Sequence, residues 1–234
     1  MKNTVYEINA GLKEPVTFAF LSDTHDADAD PIVERVNAAS PDAVLVGGDY
    51  VQNKKRYENG LTLLEKLAAL YPTFVSLGNH EFKSVPDIKK RTVMTGAVLL
   101  DDEDTVFRGV RIGGLTSGFD GRSQGTFMKT PPPDTDFLRS FECKDGFRVL
   151  LCHHPEYYPA YLKSTGIELI LSGHAHGGQW RFFGRGLFAP GQGIFPKYTS
   201  GIYDGRLIVS RGAGDSHFIP RINNGRELVI IKLK

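Results

Sequence analysis

Cysteine is scarce in this chain: Cys143 and Cys152 are the only two in 234 residues. They form no Cys-x-x-Cys pair and no framework of spaced bridges, which excludes a disulfide-stapled scaffold and favours a reducing compartment. No run approaches the roughly 18 apolar residues of a membrane span. The amino terminus, Met1-Lys2-Asn3-Thr4-Val5-Tyr6-Glu7, has neither an apolar signal core nor a twin arginine. A soluble, cytoplasmic protein is therefore expected. An excess of either charge is missing too: 28 Lys+Arg against 27 Asp+Glu leave +1, which argues against bulk nucleic-acid binding. Linkers, low-complexity segments and internal repeats are absent, so residues 1–234 read as one domain. A chain of this length can bury roughly 70% of its unfolded surface without a staple.

What the chain does have is a series of short apolar runs that stop abruptly at polar residues. Val16–Leu21 is bounded like a buried parallel strand, too short for a helix, and ends in Ser22-Asp23-Thr24-His25. Ala43–Val46 ends in Gly47-Gly48-Asp49, and Phe74–Leu77 in Gly78-Asn79-His80-Glu81. Val149–Cys152 runs into His153, and Leu169–Leu171 is followed closely by Gly173-His174. Helical patterns lie between. Pro31 opens a helix through Ala39 with Asp30 as its N-cap. Leu61, Leu64, Leu67 and Ala68 share one face of a helix of about three turns that ends before Pro72. Pro131-Pro132-Pro133 marks a surface loop before a short helix around Phe137–Phe141. Val106-Phe107-Arg108 and Arg111-Ile112-Gly113 flank a glycine turn as a hairpin. From Gln179 onward the chain reads as all-β, with an Asp204-Gly205 turn and a closing strand at Leu228–Leu233. Such a mixed sheet with flanking helices, followed by further strands, fits an α/β fold of two packed sheets.

Seven histidines punctuate this pattern, and most stand directly after an apolar run. Ligands collect at the carboxyl ends of strands in open α/β sheets, where residues distant in sequence converge. Asp23 and His25 are two apart and point the same way if the chain stays extended. Asp49 offers a carboxylate able to bridge two ions, and Asn79 a neutral amide oxygen. His153, His174 and His176 offer imidazoles. This mixture, free of thiolate, favours Mn, Fe, Zn, Co or Ni over a soft structural zinc site. Each piece alone has an ordinary explanation: Asp-x-His as a loop cap, Gly-Asn-His as a turn. Their shared topological position is what points to metal.

The ordered blocks Asp23-x-His25, Gly48-Asp49, Gly78-Asn79-His80-Glu81, His153 and Gly173-His174-Ala175-His176 resemble the calcineurin-like metallophosphoesterase superfamily. Gly177-Gly178-Gln179, Lys197 to Tyr203 and Val209 to Gly214 resemble its YkuE-like bacterial phosphodiesterase branch. The resemblance implies a four-layer α/β/β/α sandwich of two mixed sheets with a dinuclear metal site at strand carboxyl ends. By motif position, Asp23, His25 and His176 would hold one ion, and Asn79, His153 and His174 the other, with Asp49 bridging. The ions would be divalent or trivalent: Mn, Fe or Zn. His80 would contact the scissile phosphate and assist the leaving oxygen. His153 is preferred to His154 because it directly follows its strand and keeps the His-x-Pro spacing to Pro155. His154 would lie behind a ligand or face solvent, and His217 would be structural. Ala175 stands where many relatives carry Thr, on the side away from the ligands.

These residues predict in-line hydrolysis of a phosphate ester, with a diester as the first reading, by a metal-bridging hydroxide without a covalent enzyme intermediate. The alternatives are a phosphomonoesterase or protein phosphatase, a UDP-2,3-diacylglucosamine pyrophosphate hydrolase, and a metal-binding scaffold without catalysis. The substrate would be small or lipid-linked. Arg181, Phe182, Phe183, Arg185, Phe188, Phe195 and Lys197 bring cations and aromatics together after the metal histidines. That fits approach to a membrane surface, nucleotide stacking, or a plain second-sheet core with solvated cations.

Overall fold

The computed structural model describes residues 1–119, 129–215 and 220–234. In chain order its elements are β1 (Lys2–Ile8), β2 (Val16–Leu21), α1 (Ala29–Ala39), β3 (Ala43–Gly47), α2 (Glu58–Leu70), β4 (Thr73–Ser76), α3 (Ile88–Met94) and β5 (Val98–Leu99). Next come β6 (Glu103–Phe107), β7 (Val110–Leu115), α4 (Thr135–Glu142), β8 (Phe147–Cys152) and β9 (Leu169–Ser172). The chain continues through β10 (Arg181–Phe182), β11 (Arg185–Gly186), β12 (Phe188–Ala189) and β13 (Gly193–Ile194), then β14 (Gly201–Tyr203), β15 (Leu207–Val209) and β16 (Glu227–Leu233). No described helix is long and apolar enough to cross a membrane.

Two six-stranded mixed sheets result, ordered β1-β16-β2-β3-β4-β5 and β14-β15-β9-β8-β7-β6. In the first, only the β16–β2 pair is antiparallel. In the second, the inner strands β15, β9, β8 and β7 run parallel, and β14 and β6 pair antiparallel at the edges. Strand alternation builds the layers. Phe18, Phe20, Leu45, Val149, Leu151, Leu169, Leu171 and Ile208 face inward, forming the core between the sheets. The intervening Ala19, Leu21, Val44 and Val46 face outward onto Ile32 and Val36 of α1 and Leu63, Leu64 and Leu67 of α2. On the other outer face, Leu150, Cys152, Ile170, Leu207 and Val209 pack against Leu138 and Phe141 of α4 and against Tyr157 and Tyr158. The order is therefore α/β/β/α, as the resemblance implied. Strands buried on both faces cannot show a polar alternation, which is why they read as unbroken apolar runs.

Several local expectations need correction. Helix α1 begins two residues before Pro31, and Asp28, not Asp30, caps it: its carboxylate accepts the Asp30 N–H at 3.2 Å. The buried face of α2 uses Leu63 beside Leu64 and Leu67, while Leu61 lies only half-buried at its flank. Two elements lack a sequence signal: β1 is an edge strand with polar outward residues, and α3 is short and rich in cations. The stretch after Gln179 is less regular than all-β: β10 to β13 are two-residue strands. The two hairpin turns do form. Arg108-Gly109 and Asp204-Gly205 both take left-handed φ at consecutive residues, which suits the twist of the strands they join.

Candidate metal centre

Five strands drawn from both sheets deliver the predicted site residues at their carboxyl ends. Asp23 and His25 follow β2, Asp49 follows β3, and Asn79 and His80 follow β4; His153 follows β8, and His174 and His176 follow β9. Extended-chain geometry is not what aligns the i, i+2 pairs. Asp23, His25, Asp49, His174 and His176 all take left-handed φ, between +45° and +63°. Asp is among the side chains that tolerate this region, and such conformations cluster where function demands them. Two glycines make room. At Gly173 a Cβ would strike the Asp23 carboxylate. At Gly48, with φ +86°, it would meet the Gly78 backbone and come within 3.0 Å of His153 Nδ1.

Two donor sets emerge. Asp23 Oδ1 lies 3.4 Å from His176 Nε2 and 3.9 Å from His25 Nε2, and the two imidazole nitrogens are 3.0 Å apart. Asp49, His153 and His174 form the second set. Ligands about 2.1 Å from a shared ion sit roughly 3.0–3.4 Å from one another, so several of these spacings suit a coordination cage. Asp49 Oδ2 lies between the sets: 3.1 Å from His153 Nε2, and 3.9 Å from both His25 Nε2 and His80 Nε2. Asn79 Oδ1 is buried with no hydrogen-bond partner, and His153 Nε2 is buried facing the Asp49 carboxylate. Buried polar atoms without partners are costly, so these donors fit a cation well.

The backbone fixes the ring orientations. His153 Nδ1 lies 2.8 Å from the Gly47 carbonyl, and His80 Nδ1 lies 2.7 Å from that of Gln52. A carbonyl only accepts, so each Nδ1 carries the proton and each Nε2 is turned to the centre. Burial alone would pull His153 down, but the Asp49 carboxylate outweighs it and pushes the ring up to about 10. Burial lowers His174 to about 3 and His176 to about 4, leaving them neutral imidazoles suited to ligation. Burial would raise Asp49, yet His153 and His80 hold it well below the carboxylate range.

Three supporting residues had no assigned role in the sequence. Glu81 accepts the N–H groups of Gly78 at 2.7 Å, Asp49 at 3.0 Å and Val51 at 3.3 Å. Burial and the Asp49 charge push it up to about 8 against these bonds. Glu156 stands 3.6 Å from His174 Nε2 and 3.1 Å from His154 Nδ1. His154 is buried and meets Ser117 Oγ at 2.7 Å, so it lies behind the candidate ligands and does not face solvent. It also forms, with Glu156 and His174, a further close group of donors. Arg221 reaches His176 Nδ1 at 3.3 Å and donates to the Arg211 and Gly214 carbonyls. Glu81 closes the Gly78-Asn79-His80-Glu81 block and Glu156 directly follows Pro155 of the His-x-Pro spacing, and that adjacency was the available signal. Ala175 points into the outer core, away from the candidate ligands. His217 lies outside the described residues.

The calcineurin-like phosphoesterase family matches residues 16–178 of this chain. An uncharacterized metallophosphoesterase of Campylobacter jejuni is 30% identical over 95% of the chain and 60% of its own length. The uncharacterized metallophosphoesterase YkuE of Bacillus subtilis is 29% identical over 88% of the chain and 73% of its own. The phosphodiesterase YaeI of Escherichia coli is 26% identical over 94% and 82%. The chain spans between 48% and 60% of the length of the Campylobacter relative and two from Helicobacter pylori. With the family match running through every strand end that bears a candidate ligand, this chain belongs to the calcineurin-like phosphoesterase family.

Proposed function

We propose that this chain is a metal-dependent phosphodiesterase in which His80 serves the leaving group. Asp23, His25 and His176 would hold one ion, and Asn79, His153 and His174 a second, with Asp49 shared. Bound there, two ions would supply charge neutralisation for the phosphoryl oxygens and would acidify water. Oxygen and imidazole donors without thiolate suit Mn, Fe or Zn.

The observation that carries this reading is the position of His80. Its Nε2 lies 3.9 Å from the Asp49 oxygen between the two donor sets, and its Nδ1–H is committed to the Gln52 carbonyl. The ring is 13% exposed, whereas His25 and His153 are fully enclosed. A histidine held at the mouth with one nitrogen fixed can keep a proton at the other and pass it to a departing oxygen. The phosphodiesterase YaeI among its relatives supports a diester over a monoester.

The test is turnover of bis(p-nitrophenyl) phosphate against p-nitrophenyl phosphate after chelation and Mn reconstitution. Manganese-dependent preference for the diester is expected. Monoester preference would redirect the substrate to phosphatase targets. Stoichiometric metal with no turnover of either ester would favour a scaffold.

A further inference from the structure

Beyond the centre, two short hairpins carry side chains that the hydrolytic chemistry leaves unused. Strands β10 and β11 turn at Phe183-Gly184, both with left-handed φ. Strands β12 and β13 form the second hairpin. The Phe195 N–H donates to the Leu187 carbonyl at 2.8 Å, and the Leu187 N–H to that of Gly178 at 3.0 Å. The hairpins are thus tied to each other and to the turn that bears His176.

Three phenylalanines are exposed among the described residues, and all belong to this unit: Phe182, Phe183 at 105% and Phe195 at 75%. Ile194 joins them. Between the hairpins and Tyr203 lies a cleft of about 380 Å³, lined in part by Arg185, Phe195, Lys197 and Ser200. Arg181 is occupied with the Gly177 carbonyl and the Thr199 hydroxyl. Arg185 and Lys197 form no salt bridge among the described residues: residues 177–203 contain three cations and no Asp or Glu, and Asp204, which follows, pairs with Lys163 at 3.3 Å. Exposed phenyl rings beside two cations free of salt bridges, on hairpins that carry no acid of their own, complement a surface whose apolar phase lies under a layer of phosphates.

We propose that the paired hairpins dock on an anionic lipid bilayer. Phe183 and Phe195 enter the boundary between headgroups and acyl chains, and Arg185 and Lys197 meet lipid phosphates. This names lipid-borne phosphate esters as the substrate class; only that part rests on the function proposed above.

Flotation of the full chain with phosphatidylcholine vesicles, with and without phosphatidylglycerol, tests the docking. Binding is expected only to the anionic vesicles and should weaken with salt. Neutralising one cation should cost about fivefold, so Arg185→Glu with Lys197→Glu should lose at least about 25-fold. Phe183→Ser with Phe195→Ser should lose at least about tenfold while hydrolysing soluble bis(p-nitrophenyl) phosphate normally. No binding by the native chain, or binding unchanged in both double variants, would overturn the proposal. So would a dimer abolished by the phenylalanine variant, because a second copy would then cover the patch. Binding that free inorganic phosphate abolishes and the phenylalanine variant retains would make the cleft a simple phosphate site, and overturn insertion. Vesicle binding without any esterase activity would sustain docking and sink the proposed reaction; esterase activity without vesicle binding would do the reverse.

Discussion

Asp49 and Glu81 are buried carboxylates that meet through the backbone: the Asp49 N–H donates to Glu81 Oε2 at 3.0 Å, while the Asp49 side chain turns to His153. The same Glu81 oxygen accepts from Gly78, and Asp49 Oδ1 accepts the His80 N–H at 2.8 Å. Each acid thus fixes the loop that carries the other, and the ends of β3 and β4 behave as one unit.

Replacing Glu81 with Ala strands three backbone N–H groups, each costing about 1–3 kcal/mol when buried without a partner. A loss of about 3 kcal/mol or more in urea unfolding is expected, with reduced metal content. Glu81→Gln keeps an acceptor and should lose less than half as much. Equal losses for the two would mean that charge, not backbone anchoring, is what Glu81 provides.

Asp49→Ala should abolish stoichiometric metal loading, measured by elemental analysis after dialysis, with the far-ultraviolet circular dichroism retained. Two ions per chain in this variant would remove Asp49 from the shared position.

His80→Ala should keep its metal and lose about 10²–10⁴-fold in turnover of an ester with a poor leaving group. The loss should be smaller for p-nitrophenyl esters, whose leaving oxygen needs little protonation. A uniform loss across leaving groups would rule out proton donation.

Much of the fold was legible because buried parallel strands leave unbroken apolar runs, and the candidate site because each run ends in a polar residue. The local geometry was not. Extended spacing would align Asp23 with His25, yet both residues take left-handed φ, and sequence does not display φ. Glu156 takes its place against His174 only once β8 and β9 lie side by side. The cap at Asp28 was misplaced because Asp30 and Pro31 imitate the same signal.

Asp102, which is not among the candidate metal donors, offers a pH test. Burial and the neighbouring Asp101 push its carboxyl up to about 6, against an unfolded value near about 3.9. A folded state that holds the proton more tightly is favoured at low pH and loses that advantage as pH rises from about 4 through 6. Asp102→Asn keeps an acceptor for the Thr116 N–H, now 2.9 Å away, and tolerates the φ of +55°. It should raise stability at pH 7 by about 1 kcal/mol, the half-exposed position tempering the effect. The gain should vanish near pH 4 in paired urea titrations. A gain that persists there would exclude titration as its source.

Because the donors come from both sheets, the centre works as a clasp across the seam between them. Asp49 leaves the first sheet, His153 the second, and their side chains meet at 3.1 Å. Loading this junction would add a tie between two slabs already joined by an apolar core and by contacts such as that of His153 Nδ1 with the Gly47 carbonyl. The filled protein should then resist prying along the seam more than sliding within either slab. Catalytic competence and mechanical cohesion would share the same few atoms.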